Sequence, residues 1–163
     1  MEAVAPETIT PFNGPLETGM RAVLCLHASF PKELDIQRLT ALDYLLVRTS
    51  LLGGPPDIHP STPIMTPVTQ VRRKAVSESL DLMMSRELVE RSITRKGIYY
   101  RAGEYSSFFV DALCTSYSEQ LRYRAKWIAD FFATYSDDAF EDHMRSLLTD
   151  WVSEFQDETK GGL

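Results

Sequence analysis

The stretch GGPPDIHPSTPIMTP, residues 53–67, sets five prolines and two glycines in fifteen positions. Proline lacks the amide proton that helices and inner strands use, and its ring disfavours helix at the residue before it. The stretch is therefore a loop, and it divides the chain into two parts. A connection this long in a compact chain is either functional or disordered. Ile58, Ile64 and Met65 offer apolar anchors within it, so an ordered lasso is the expectation.

Ahead of the loop, residues 1–12 have no periodicity and read as a mobile tail. Pro15 is a natural first helical residue. Leu16, Met20, Val23, Leu24 and His27 then recur at helical spacing, Phe30 ends the run and Pro31 stops the helix. Asp35 is a ready N-cap for a second helix, DIQRLTALDYLLVRTS, with Ile36, Leu39, Leu42, Leu46 and Val47 on one face.

Beyond the loop, TQVRRKAVSESLDLMMSREL predicts a third helix with Val71, Ala75, Leu80, Leu82, Met83 and Met84 mostly inward. Leu88–Ile93 and Ile98–Arg101 read as two strands, with Gly97 suited to the positive φ of the turn between them. Successive strand residues face opposite ways, so only one of Tyr99 and Tyr100 can point fully inward. After Gly103 the pattern is helical. EYSSFFVDALC is short and aromatic, and Ser116 and Glu119 have capping-box spacing at the start of the next helix. That helix shows a face of Tyr117, Leu121, Ala125, Ile128 and Phe132, widened by Trp127 and Phe131. Ser136 caps a last helix carrying Phe140, Met144, Leu147, Leu148, Trp151 and Phe155. The expected fold is mainly α. A winged-helix-like core of three helices plus a β-hairpin covers 13–103, a C-terminal helical hairpin extension covers 104–157, and 158–163 is a frayed tail.

The chain lacks the spacing signatures of catalysis and metal binding. It has no Gly-rich phosphate loop, no GxSxG elbow and no HExxH. His27, His59 and His143 are far apart, with no cysteine at ligand spacing. His59 beside Ser61 and Thr62 could assist a nucleophile, but a loop histidine bonded to its surroundings is the commoner case. Asp137, Asp138, Glu141 and Asp142 suit the positive end of a helix dipole better than a cation site. No catalytic, metal or cofactor residue is assigned. Trp127 and Trp151 read as packing anchors, and Cys25 and Cys114 as buried free thiols. No run of eighteen apolar residues occurs, and MEAVAPETITPFNG lacks the basic and apolar regions of a signal peptide, so a cytoplasmic location is expected.

Charge is unevenly spread. Residues 1–70 carry −3, residues 71–101 carry +4 and residues 102–163 carry −7, against −6 for the whole chain. A basic middle between acidic ends allows a local anionic partner and argues against a general nucleic-acid binder. Arg72, Arg73 and Lys74 fan across one end of the third helix. Arg91, Arg95, Lys96 and Arg101 lie on the hairpin with Tyr99. Basic residues mixed with aromatics can meet phosphate and bases, fill a protein interface, or merely face solvent. Ile58 and His59 add a candidate contact from the loop.

Three stretches together resemble one family: NGPLETGMRAVLCLHASFP, then LDIQRLTALDYLLVRTSLLGGPPDIHPSTP, then VRRKAVSESLDLMMSRELVERSITRKGIYYRAGE. They are similar to the middle component of the ABC-three-component systems, which include the Lamassu-type anti-phage defence systems of bacteria. The resemblance runs from Phe12 to about Leu148, and the helix after Asp137 matches less clearly. It implies a small non-catalytic subunit that bridges an SMC/Rad50-like ATPase and an effector, often a nuclease, in a complex sensing foreign DNA. It also implies that the hairpin docks on protein, with Arg95 and Lys96 touching any DNA held by the ATPase. The competing reading is a stand-alone winged-helix DNA-binding regulator.

Overall fold

The computed structural model describes residues 14–59 and 70–147. The expected tails at 1–12 and 158–163, the loop anchors Ile64 and Met65, and Leu148, Trp151 and Phe155 of the last helix lie outside the described residues.

Helix α1 spans Pro15–Ser29 and opens with the proline at its first turn. Strand β1, Leu34–Asp35, is only two residues long. Asp35 then caps α2, Ile36–Leu46, accepting from the Arg38 amide at 2.7 Å. Helix α2 stops four residues short of the expected Ser50, and a 3₁₀ turn at Thr49–Leu52 takes its place. Helix α3 covers Gln70–Ser85. Strands β2, Val89–Thr94, and β3, Gly97–Ala102, form the hairpin, and Gly97 takes φ 137° at its turn. Helices α4, Ser106–Ala112, α5, Ser116–Phe131, and α6, Asp137–Leu147, complete the order.

The sheet runs β1–β3–β2 and is antiparallel throughout, with Leu34 opposite Tyr100 and Val89 opposite Ala102. Helix, strand, two helices and a hairpin around this sheet make the mainly-α, winged-helix-like arrangement that the sequence predicts. The added β1 was not foreseen. Two residues leave no alternation to read, and only pairing with β3 makes them a strand.

Helix α1 is the central element. It packs against α2, α3, α4, α5 and β3. Val23, Leu24, Leu26, Leu45, Leu46, Leu80 and Met83 are fully buried among these elements. Leu121 and Ile128 from α5, and Phe140 and Met144 from α6, join the same apolar core. Burial of a side chain of this size contributes roughly 1.5–3 kcal/mol. Trp127 and Met84 are half-buried against it.

Four local expectations are corrected. Val71 is 77% exposed rather than inward, because α3 turns its first turn outward and begins burying residues only at Val76. Cys114 is exposed, since it lies after the C-terminus of α4, whereas Cys25 is buried and its thiol is pushed up to about 12 by burial. The cap of α5 is Thr115, not Ser116: its hydroxyl accepts from the Ser118 amide at 3.1 Å. His27 is only half-buried, with Nε2 3.4 Å from the Ser107 hydroxyl.

Candidate functional site

The basic stripe of α3 does not act as a unit. Consecutive helical side chains point about 100° apart, so no face can present all three. Arg72 turns back onto α2, where Nη1 donates to Asp43 Oδ2 at 2.6 Å and the guanidinium lies 5.5 Å from the Tyr44 ring centre. Asp43 also accepts from Arg21 Nε of α1 at 2.7 Å. Arg21 and Asp43 are 2% and 3% exposed, so this triad is an internal clamp tying α1, α2 and α3. Arg73 is half-buried. Lys74 is exposed, with its amine 3.9 Å from Glu78. Glu78 and Asp81 are exposed on the same helix, so its outer surface carries carboxylates among the cations.

The hairpin keeps its charge outside. Glu90 and Arg101 sit opposite each other and pair at 2.8 Å. Arg91, Arg95 and Lys96 are exposed and enter no ion pair among the described residues. On the opposite-facing residues of the two strands, Val89, Ala102 and Tyr100 are buried at the base. Ile93 and Ile98, paired nearer the tip, are 75% and 46% exposed. Tyr100 is the inward tyrosine, against Leu34, while Tyr99 is half-buried opposite Asp35. The wing is therefore a small apolar step ringed by three cations.

The first half of the proline-rich loop is tied down. The Thr49 hydroxyl donates to the Pro55 carbonyl at 2.7 Å, and the Ile58 amide donates to the Val47 carbonyl at 3.1 Å. Arg124 of α5 donates twice to the Pro56 carbonyl, from Nε at 3.2 Å and Nη2 at 2.8 Å. Gly54 lies against the face of Trp127 so closely that a β-carbon there would meet the ring at 2.6 Å. Ile58 is half-buried against the core. His59 stacks on Tyr117, its Nε2 2.8 Å from the phenol oxygen. Burial first, then the positive charges of Arg21 and Arg48, lower the His59 pKa to about 4. Its ring is thus neutral at pH 7 and engaged in holding the loop. Ser61 and Thr62 lie outside the described residues. Among the described residues no group of three or more His, Cys, Asp or Glu is placed to hold a metal ion.

Sequence reasoning missed Arg21, Asp43, Arg124 and Tyr117. The first two carried a signal: each is a lone charge inside an apolar helical run, the situation in which a buried charge needs a partner. A second apolar surface was missed as well. Helices α1, α4 and α5 flank a groove of about 540 Å³ lined by Leu24, Val110, Tyr123 and Lys126.

The family model for the ABC-three component (ABC-3C) system Middle Component 2 matches residues 11–154. No curated protein and no solved structure matches the chain.

Proposed function

This chain belongs to the ABC-three-component system Middle Component 2 family, and from that premise we propose that it is a non-catalytic adaptor subunit. It bridges an SMC/Rad50-like ATPase and an effector, a nuclease, within a cytoplasmic bacterial defence complex of the Lamassu kind that senses foreign DNA. The observation that carries this reading is the division of the basic residues. A winged-helix protein that reads DNA puts its third helix in the major groove and its wing on the backbone. Here Arg72 is spent on Asp43, and the exposed side of α3 shows Glu78 and Asp81 beside Lys74. The wing holds Arg91, Arg95 and Lys96 outside any ion pair among the described residues, around exposed isoleucines, a composition that suits a protein surface.

The membership supports partnership with other components of such a system. The identity of the ATPase and the effector is inferred from the resemblance. Among the described residues no helix is long and apolar enough to cross a membrane. The test is co-expression of the tagged full-length chain with the genes beside it. Stoichiometric retention of a coiled-coil ATPase is the expected result, and purification of the chain alone refutes the reading.

A second reading, a stand-alone DNA-binding regulator, is favoured by the unpaired Arg91, Arg95 and Lys96. It predicts duplex binding that weakens steeply with salt and is lost with Arg95→Ala and Lys96→Ala. Absence of a mobility shift at low salt removes it.

A further inference from the structure

We propose that the free edge of β2 is a docking strand, to which an extended acidic segment of a partner subunit adds as a fourth strand. This rests on the adaptor reading and names what the wing would hold. Among the described residues, order β1–β3–β2 leaves β2 with a neighbour on one side only. Its pairing with β3 runs without interruption from Val89↔Ala102 to Thr94↔Gly97. In a hairpin with a two-residue tip, the residues next to the tip form a hydrogen-bonded rung, and such rungs recur at every second residue. Thr94, Ser92 and Glu90 therefore direct their backbone groups at β3. Ile93 and Arg91 direct theirs outward, and both residues are exposed.

Edges of this kind are usually blunted by proline, a bulge or shortness. Strand β2 has six residues, no proline and no bulge. With Glu90 paired to Arg101, what the strand and its tip have left over is positive charge. Arg91, Arg95 and Lys96 enter no ion pair among the described residues, whereas Glu90 is neutralised by Arg101. A second copy adding to this edge would bring these cations against their own kind. An acidic strand would bring carboxylates against them, and opposite charges across strands stabilise where like charges destabilise. The cations thus reject self-pairing and select the occupant. Ile93 lies two positions beyond Arg91 on the same face, with Ile98 paired to it, so the incoming segment carries an acidic and an apolar residue two positions apart.

The test titrates the full-length chain into a fluorescent peptide of Glu-Thr-Val-Thr repeats, which puts glutamate and valine on one face, into its lysine-for-glutamate twin, and into a short DNA duplex, read by anisotropy. The acidic peptide is expected to bind and its twin to fail. Ile93→Pro, which removes an outward amide without touching the β3 ladder, lowers affinity at least about tenfold. The double variant Arg91→Glu, Arg95→Glu keeps the backbone, reverses the preference between the twins, and decides the matter where the proline variant melts early. Equal binding of the twins, unchanged affinity in the double variant, or tighter binding of the duplex than of the acidic peptide each overturns the proposal. Co-purification separates the two layers: if the wild type and both variants retain the ATPase equally, the docking strand fails alone; if the wild type retains nothing, the adaptor reading fails.

Discussion

Asp43 offers the sharpest way to separate a structural arginine from a DNA-reading one. Its carboxylate is 3% exposed and accepts from Arg21 at 2.7 Å and from Arg72 at 2.6 Å. Replacing it with Asn removes the charge and keeps the shape. Arg21, itself 2% exposed, then loses the carboxylate that its Nε is bonded to. Leaving a buried charge uncompensated costs about 3–5 kcal/mol, which for a chain of this size lowers the melting temperature by about 6–20 °C. Arg72 is different. Its side chain is 23% exposed, so water offsets part of its loss, and Asp43 keeps Arg21 when Arg72 is truncated. Arg72→Ala should cost only about 1 kcal/mol.

Urea unfolding of the full-length chain and its variants measures these differences. The double change Arg21→Met, Asp43→Leu should cost less than Asp43→Asn alone, because the charge is removed together with its partner. A mobility shift on Arg72→Ala runs alongside: a groove-reading arginine would lower DNA affinity with stability untouched, the reverse of what the clamp predicts. If Asp43→Asn unfolds within about 1 kcal/mol of the wild type, or Arg72→Ala costs as much as Asp43→Asn, the clamp does not hold α1, α2 and α3 together.

Three further outcomes are expected. Glu87 ends α3 at φ 60°, with its amide on the Met84 carbonyl and the Leu88 amide on the Met83 carbonyl, a cap that favours glycine; Glu87→Gly should raise the unfolding free energy by about 0.5–1 kcal/mol in the same urea assay. Gly54→Ala forces a β-carbon to 2.6 Å from Trp127, so stability should fall by about 1–3 kcal/mol and the indole emission should shift red as the loop lifts away. The folded-state pKa of His59 is about 4 against 6.5 unfolded, so its contribution is fully present above pH 6.5 and lost as pH falls toward 4; the ring is partly in water, so the loss is roughly 1–2 kcal/mol, and His59→Gln should flatten the stability profile over that window.

Helices were largely legible because their signals are local. Pro15, Asp35 and Ser136 mark starts that need no distant partner, and the Ser136 hydroxyl does accept from the Ala139 amide at 3.1 Å. What was not legible depends on residues far away. Leu34 and Asp35 become a strand only through β3. Glu87 adopts a left-handed conformation because the Schellman bonds of α3 and the start of β2 over-determine it, and a glutamate gives no hint of that. The basic run at Arg72–Lys74 could be known to fan out. Which of the three would turn inward was decided by Asp43, twenty-nine positions earlier on another helix.

The destinations of the cations bear on function more than their number does. Arginines 21, 72 and 124 work inside, on Asp43 and on the Pro56 carbonyl, where they join the first three helices and fasten the loop to α5. Binding duplex DNA would need helix and wing to act together, and the exposed Glu78 and Asp81 would put two carboxylates on the helix facing phosphate. The wing is left to act without α3, over an area that is small and steered by charge. Such a contact gains speed and selectivity from its charges and persistence from what is buried beside them. On this molecule the groups beside those charges are Ile93, Ile98 and a strand edge that no described residue pairs, which together suit the proposed hold on another polypeptide.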